Sequence, residues 1–234
     1  KKYLEVLSTF HNRNTGADTV SQIKGIGAAR RWTYSKFQEI SAANENRLIP
    51  SYLQFDQVIC NIPQHKNIFS VLPGMDTTDK SIIIIEGHID SRCAVLCDTS
   101  CAAHGMEDNG SGTALVVELA RVMSKYSYNQ TIVFIVTIGE EQGLYGANAF
   151  ATYCQQKSII IKGVFNNDVI GGVMCGNTSS PPSCAPAGNI DSTSVRIFSY
   201  GTFNSSHKQL GRFSKLEYKE QLLPSVSVPM TIHI

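Results

Sequence analysis

Charge is scarce in this sequence: Asp, Glu, Lys and Arg together make up 17% of its 234 residues and nearly cancel, leaving a formal net charge of +1. A nucleic-acid-binding face needs a surplus of cations and a disordered tail a surplus of one sign, so neither is expected. Long apolar runs are missing too. The longest, 82–85 and 132–136, are strand-sized, far short of the ~20 residues that cross a bilayer. With no internal repeat or low-complexity tract, residues 1–234 read as a single domain. The opening Lys1-Lys2-Tyr3-Leu4 lacks both a signal-peptide core and an initiator Met, which fits a processed product.

Cysteine, by contrast, is plentiful. Seven are many for a cytosolic enzyme of this length, and their odd number leaves at least one thiol unpaired. Cys175 and Cys184 bracket a loop rich in Pro, Ser and Gly and are disulfide candidates. Cys93, Cys97 and Cys101 lie close together, where a local disulfide is favoured over a structural zinc site completed by His104, which reads as a solvent-facing loop residue. A secreted, extracellular or periplasmic protein is expected.

Periodicity orders the rest. Val20, Ile23, Ile26, Trp32, Phe37 and Ile40 recur near 3.6 residues and predict a helical layer in the first 50. Strands follow at 57–62, 67–72 and 81–86, and the helix carrying Leu115, Val116, Leu119, Ala120 and Met123 is capped by Asn109 or Ser111. The stretch 131–138 is apolar almost without alternation, as in a parallel strand covered on both faces. Next come a helix at 147–156, strands at 159–166 and near 195–199, a helix at 206–220 and a last strand at 225–232. The fold class is α/β, with a mixed, mostly parallel central sheet sandwiched by helices.

This order sets His88, Asp108, Glu140, Glu141 and Asp168 after the carboxyl ends of central strands, on the rim where open α/β sheets collect ligands. Adjacent carboxylates leaving a strand point to opposite sides, so of Glu140 and Glu141 one can hold a metal while the other faces a water.

The segments Gly87-His88-Ile89-Asp90-Ser91, Glu107-Asp108-Asn109-Gly110-Ser111-Gly112, Gly139-Glu140-Glu141-Gln142-Gly143-Leu144-Tyr145-Gly146 and Asn167-Asp168 closely resemble the zinc-dependent exopeptidase family of secreted bacterial aminopeptidases. These are co-catalytic dizinc peptidases related to glutamate carboxypeptidase and glutaminyl cyclase. The resemblance covers nearly the whole chain and is weakest at its ends. It implies that His88 and Asp168 bind one zinc, Asp108 bridges two, Glu141 binds the second, Glu140 is the general base and Asp90 orients the His88 ring. It also implies a cis peptide bond between Asp108 and Asn109. The expected activity is hydrolysis of N-terminal peptide bonds by a metal-activated water, on peptides with a free N-terminus.

One family feature is not matched. The Glu141 zinc also needs a His on a late loop, whereas His207 reads as a helix start and His233 as the end of a strand. The expectation is therefore a chain shortened at its C-terminal end, holding one zinc or none in place of two and possessing doubtful activity; substitution by His233 is the less favoured reading. A related carboxypeptidase or glutaminyl cyclase, or a metal-poor interaction domain, are the competing functions.

Overall fold

The computed structural model describes residues 1–170, 194–222 and 231–233. Two helices, α1 (Lys2–Thr9) and α2 (Gly25–Ala42), come first. Ile26, Phe37 and Ile40 are buried as their spacing predicts, but Val20 and Ile23 are each 79% exposed in the bends before α2. Asp18 explains the difference. Its carboxylate accepts from the Val20 and Ser21 amides at 2.8 Å each, and its carbonyl accepts from the Gly27 amide at 3.0 Å. A local side-chain turn here outcompetes extension of the helix.

Strands β1 (Ile49–Ile59) and β2 (Ile62–Leu72) form an antiparallel hairpin that turns at Cys60 and Asn61. Both turn residues have positive φ, 47° and 66°, as a tight two-residue hairpin demands. The strand expected at 57–62 therefore contains the turn itself. Asn61 favours that conformation but Cys60 does not, so the pair lacked the Asn-Gly or Asp-Gly signature of a hairpin turn.

The remaining strands of the first sheet alternate with helices: β3 (Ile82–His88), α3 (Gly112–Met123), β4 (Thr131–Thr137), α4 (Tyr145–Gln156) and β5 (Ile161–Asn166). The sheet order is β1-β2-β4-β3-β5, with β3 parallel to both β4 and β5 and with β2 antiparallel to both β1 and β4. Strand β4 shows why its sequence lacks alternation. Ile132, Phe134 and Val136 pack with Phe37 of α2 and Val116, Val117 and Ala120 of α3, whereas Val133 and Ile135 pack with Phe150 and Cys154 of α4. Helices thus cover both faces of a mixed sheet.

Two compact units make up the chain, Lys1–Ile170 and Gly171–Ile234. The first holds the five-stranded sheet and His88, Asp90, Asp108, Glu140, Glu141 and Asp168. In the second, β6 (Ser194–Arg196) pairs in parallel with β7 (Thr231–His233), and α5 (Ser206–Glu217) is capped by the Ser205 hydroxyl, which accepts from the Lys208 amide. His207 falls at the start of α5 and His233 at the end of β7. Cys175 and Cys184 lie outside the described residues. Among the described residues the disulfides are Cys93–Cys101, within the loop as expected, and Cys60–Cys97, which ties that loop to the hairpin turn; Cys154 is free and buried. Pairing of all three loop cysteines removes the structural-zinc reading, and His104 is exposed with its Nδ1 2.8 Å from the Ser8 carbonyl.

Candidate metal centre

Three parallel strands end side by side: β3 at His88, paired in register with Thr137 of β4, and β5 two residues before Asp168. Asp108, expected just after a strand, comes instead from the turn 106–111 leading into α3, which brings it to the same edge. Close approach requires glycine here, because a Cβ on Gly112 would lie 2.0 Å from the Asn167 carbonyl oxygen. Asn109 joins the two segments. Its amide nitrogen donates to the Asn167 carbonyl at 2.9 Å, and its oxygen accepts from the Gly112 amide at 2.8 Å, capping α3. The Asp108–Asn109 peptide bond is cis.

His88 Nε2 lies 3.3 Å from Asp108 Oδ1 and 3.4 Å from Asp168 Oδ1, and the three ligand atoms fall within 4.8 Å of one another. The imidazole is 2% exposed, and its Nε2 is buried without a hydrogen-bond partner. A buried ring nitrogen lacking a partner, aimed at two carboxylate oxygens, suits a divalent cation with mixed nitrogen and oxygen ligands, of which zinc is typical. Nδ1 faces the Asp90 carbonyl at 3.1 Å, an outer contact that sets the tautomer of a ligating histidine. Glu140 Oε2 stands slightly farther off, 3.8 Å from Nε2. Glu141 is outside the group of three and pairs with Arg92, Nε to Oε2 at 2.5 Å.

Asp90 does more than orient a ring. Its carboxylate accepts from the Glu140 amide at 3.3 Å, the Glu141 amide at 3.1 Å and the Thr15 hydroxyl at 3.3 Å, anchoring the turn that carries both glutamates. That turn begins at Gly139, whose φ of 75° favours glycine. Other supporting residues bore no metal-like signature in the sequence. Thr113 donates its hydroxyl to the His88 carbonyl at 2.7 Å, and Arg13, 1% exposed, donates to the carbonyls of Ile89, Leu7, His104 and Gly105. Burial lowers the Arg13 pKa to about 10, against the pull of Asp90 and Asp108.

Burial alone would depress the His88 pKa, but Asp108, Asp168 and Asp90 override it and raise the pKa to about 12. Burial also raises Glu140; His88 opposes that rise and Asp90, Asp168 and Asp108 reinforce it. A folded pKa above the unfolded value of about 6.5 means that the His88 contribution is complete below that pH and is lost as pH rises towards about 12. Chelator-treated protein is therefore expected to lose stability as pH rises through this window. Zinc should flatten the slope by replacing the proton. Thermal melts across the window with and without zinc check this; equal slopes would refute it.

The family description "Peptidase family M28" matches residues 67–180, a span containing His88, Asp108, Glu140, Glu141 and Asp168. A probable zinc metalloprotease of Pyricularia oryzae is 32% identical over 202 residues, covering 85% of this chain and 38% of that protein. Another, from Leptosphaeria maculans, is 31% identical over 201 residues, covering 83% and 44%. The chain thus spans less than half the length of these relatives. The Legionella pneumophila LapA aminopeptidase superposes with a TM-score of 0.70 at 18% identity, over 99% of this chain and 52% of that one. A glutaminyl cyclase from an Acidobacteriales bacterium gives 0.55 at 18%, over 72% and 58%. At such identities the structural likeness concerns the fold. Fold and donor set together define an α/β domain of the zinc-peptidase type. Within that class, the match to peptidase family M28 covers residues 67–180, just under half of the chain.

Proposed function

We propose that this protein is a secreted zinc aminopeptidase and that residues 1–234 belong to a single catalytic domain. The observation that carries the reading is the convergence of His88, Asp108 and Asp168 on one point, with Glu140 beside it. His88, Asp108 and Asp168 would hold the first zinc, and Asp108 with Glu141 would take part in holding a second. Bound zinc supplies Lewis-acid polarisation of the scissile carbonyl and an acidified water.

The protein's own groups handle the proton. Glu140 accepts it from the attacking water and returns it to the departing amine, a transfer favoured by the upward push of burial on its carboxyl. Asp90 positions this base through the Glu140 amide. The acidic rim offers the free α-amine of a peptide a complementary charge. The two disulfides support an oxidising compartment, and among the described residues no helix is long and apolar enough to cross a membrane.

The test is product identity. With the full chain and zinc, an unblocked peptide should release its first residue as a free amino acid while the N-acetylated peptide stays intact. Release from the C-terminal end, formation of a lactam, or absence of turnover would contradict the proposal and point respectively to a carboxypeptidase, a cyclase or an interaction domain.

A further inference from the structure

We propose that Arg92 acts as a built-in competitor of the second metal, holding Glu141 Oε2 with its guanidinium so that the site loads one zinc tightly and a second more weakly, against this arginine's hold and charge. The inference rests on the zinc-peptidase reading above and concerns the order and strength of loading. Glu141, with a side chain only 9% exposed, has its Oε2 on Arg92 Nε at 2.5 Å, while the other expected ligands face His88. The pair is a charge-assisted hydrogen bond, stronger than a neutral one. Arginine stays protonated at any working pH, so a metal approaching Oε2 meets a fixed cation there and cannot wait for it to deprotonate.

Arg92 is also not free to drift. On one side of it, Ser91 donates its hydroxyl to the Ala103 carbonyl at 2.7 Å and accepts from the Arg13 amide at 3.3 Å. On the other, Cys93 is bonded to Cys101, and Cys97 is bonded to Cys60 at the hairpin turn. Side-chain amides of Asn12 and Asn14 hold the same strap from beneath, donating to the carbonyls of Cys101 and Leu96 at 3.0 and 2.8 Å. The fastened strap fixes where the Arg92 side chain starts, while the side chain itself, 43% exposed, reaches Glu141 through its own rotatable bonds. The same guanidinium charge would sit beside any second cation bound by Glu141 and repel it.

Zinc titration calorimetry on metal-free full chain, with ions counted by native mass spectrometry, tests the proposal in the original protein, Arg92→Gln and Arg92→Lys. In Arg92→Gln the second zinc is expected to bind roughly 10–100-fold tighter, the scale on which outer groups tune metal affinity, with the first zinc unchanged. Arg92→Lys should fall between, because it keeps the charge and loses the planar fork. A second zinc no tighter in Arg92→Gln, including none in either protein, overturns the competition. A weaker one would make Arg92 a support of Glu141 and overturn it equally. Absence of any zinc from the original protein would remove the metal-site reading itself, an outcome distinct from unchanged second-site affinity.

Discussion

Replacing Glu140 with Gln is expected to lower kcat on an unblocked peptide by about 10²–10⁴-fold, the range a positioned general base contributes, while zinc content stays the same. The expectation comes from position. Glu140 Oε2 is near enough to the His88 nitrogen, at 3.8 Å, to reach a water at the same centre, yet it is not among the three groups whose ligand atoms converge. The amide of Gln preserves shape and cannot accept a full proton. Because the Glu140 backbone is held by Asp90, the substituted side chain should occupy nearly the same place, leaving proton transfer as the main loss. Turnover and zinc content measured on the same preparation separate base from ligand. Near-normal kcat would strip Glu140 of its role, and loss of zinc would reassign it as a ligand.

Asp108→Ala should have the opposite signature. Its carboxylate is the group facing His88 Nε2 most closely, at 3.3 Å, so its removal deprives the centre of a direct ligand. The loss in zinc affinity should exceed the roughly 10–100-fold that follows from altering outer partners, and turnover should disappear with the metal. The fold should survive, since the Asp108 side chain is 56% exposed and the neighbouring Asn109 keeps the links to Asn167 and Gly112. Competition against a chelator of known affinity gives the dissociation constant. Unchanged zinc affinity in Asp108→Ala would remove this carboxylate from the centre.

Much of the frame around these residues could be read from local pattern. β4 was recognisable because a strand buried on both faces has no polar alternation, and Ile132 to Val136 pack against helices on either side. His88 and Asp168 were readable as residues just past strand ends and Asp108 through its motif, and these three meet at one edge, whereas Glu141, expected with them, does not. Features set by distant partners or atypical turns were hidden. Val20 and Ile23 mimicked helical periodicity, but Asp18 captured their backbone in a turn. The reversal at Cys60 and Asn61 uses a cysteine where turn chemistry favours Gly, Asn or Asp. Arg13 reads as an ordinary surface cation until its contacts to Ile89, His104 and Gly105, remote in sequence, surround it. Pairing of Glu141 with Arg92 joins residues 49 positions apart and no motif encodes it.

The direct test of the central claim is anomalous scattering at the zinc edge from crystals of the zinc-loaded protein. The account predicts a peak about 2.0–2.2 Å from His88 Nε2 and from carboxylate oxygens of both Asp108 and Asp168. A protein that binds zinc yet shows its peak elsewhere, with these three side chains uncoordinated, would contradict it.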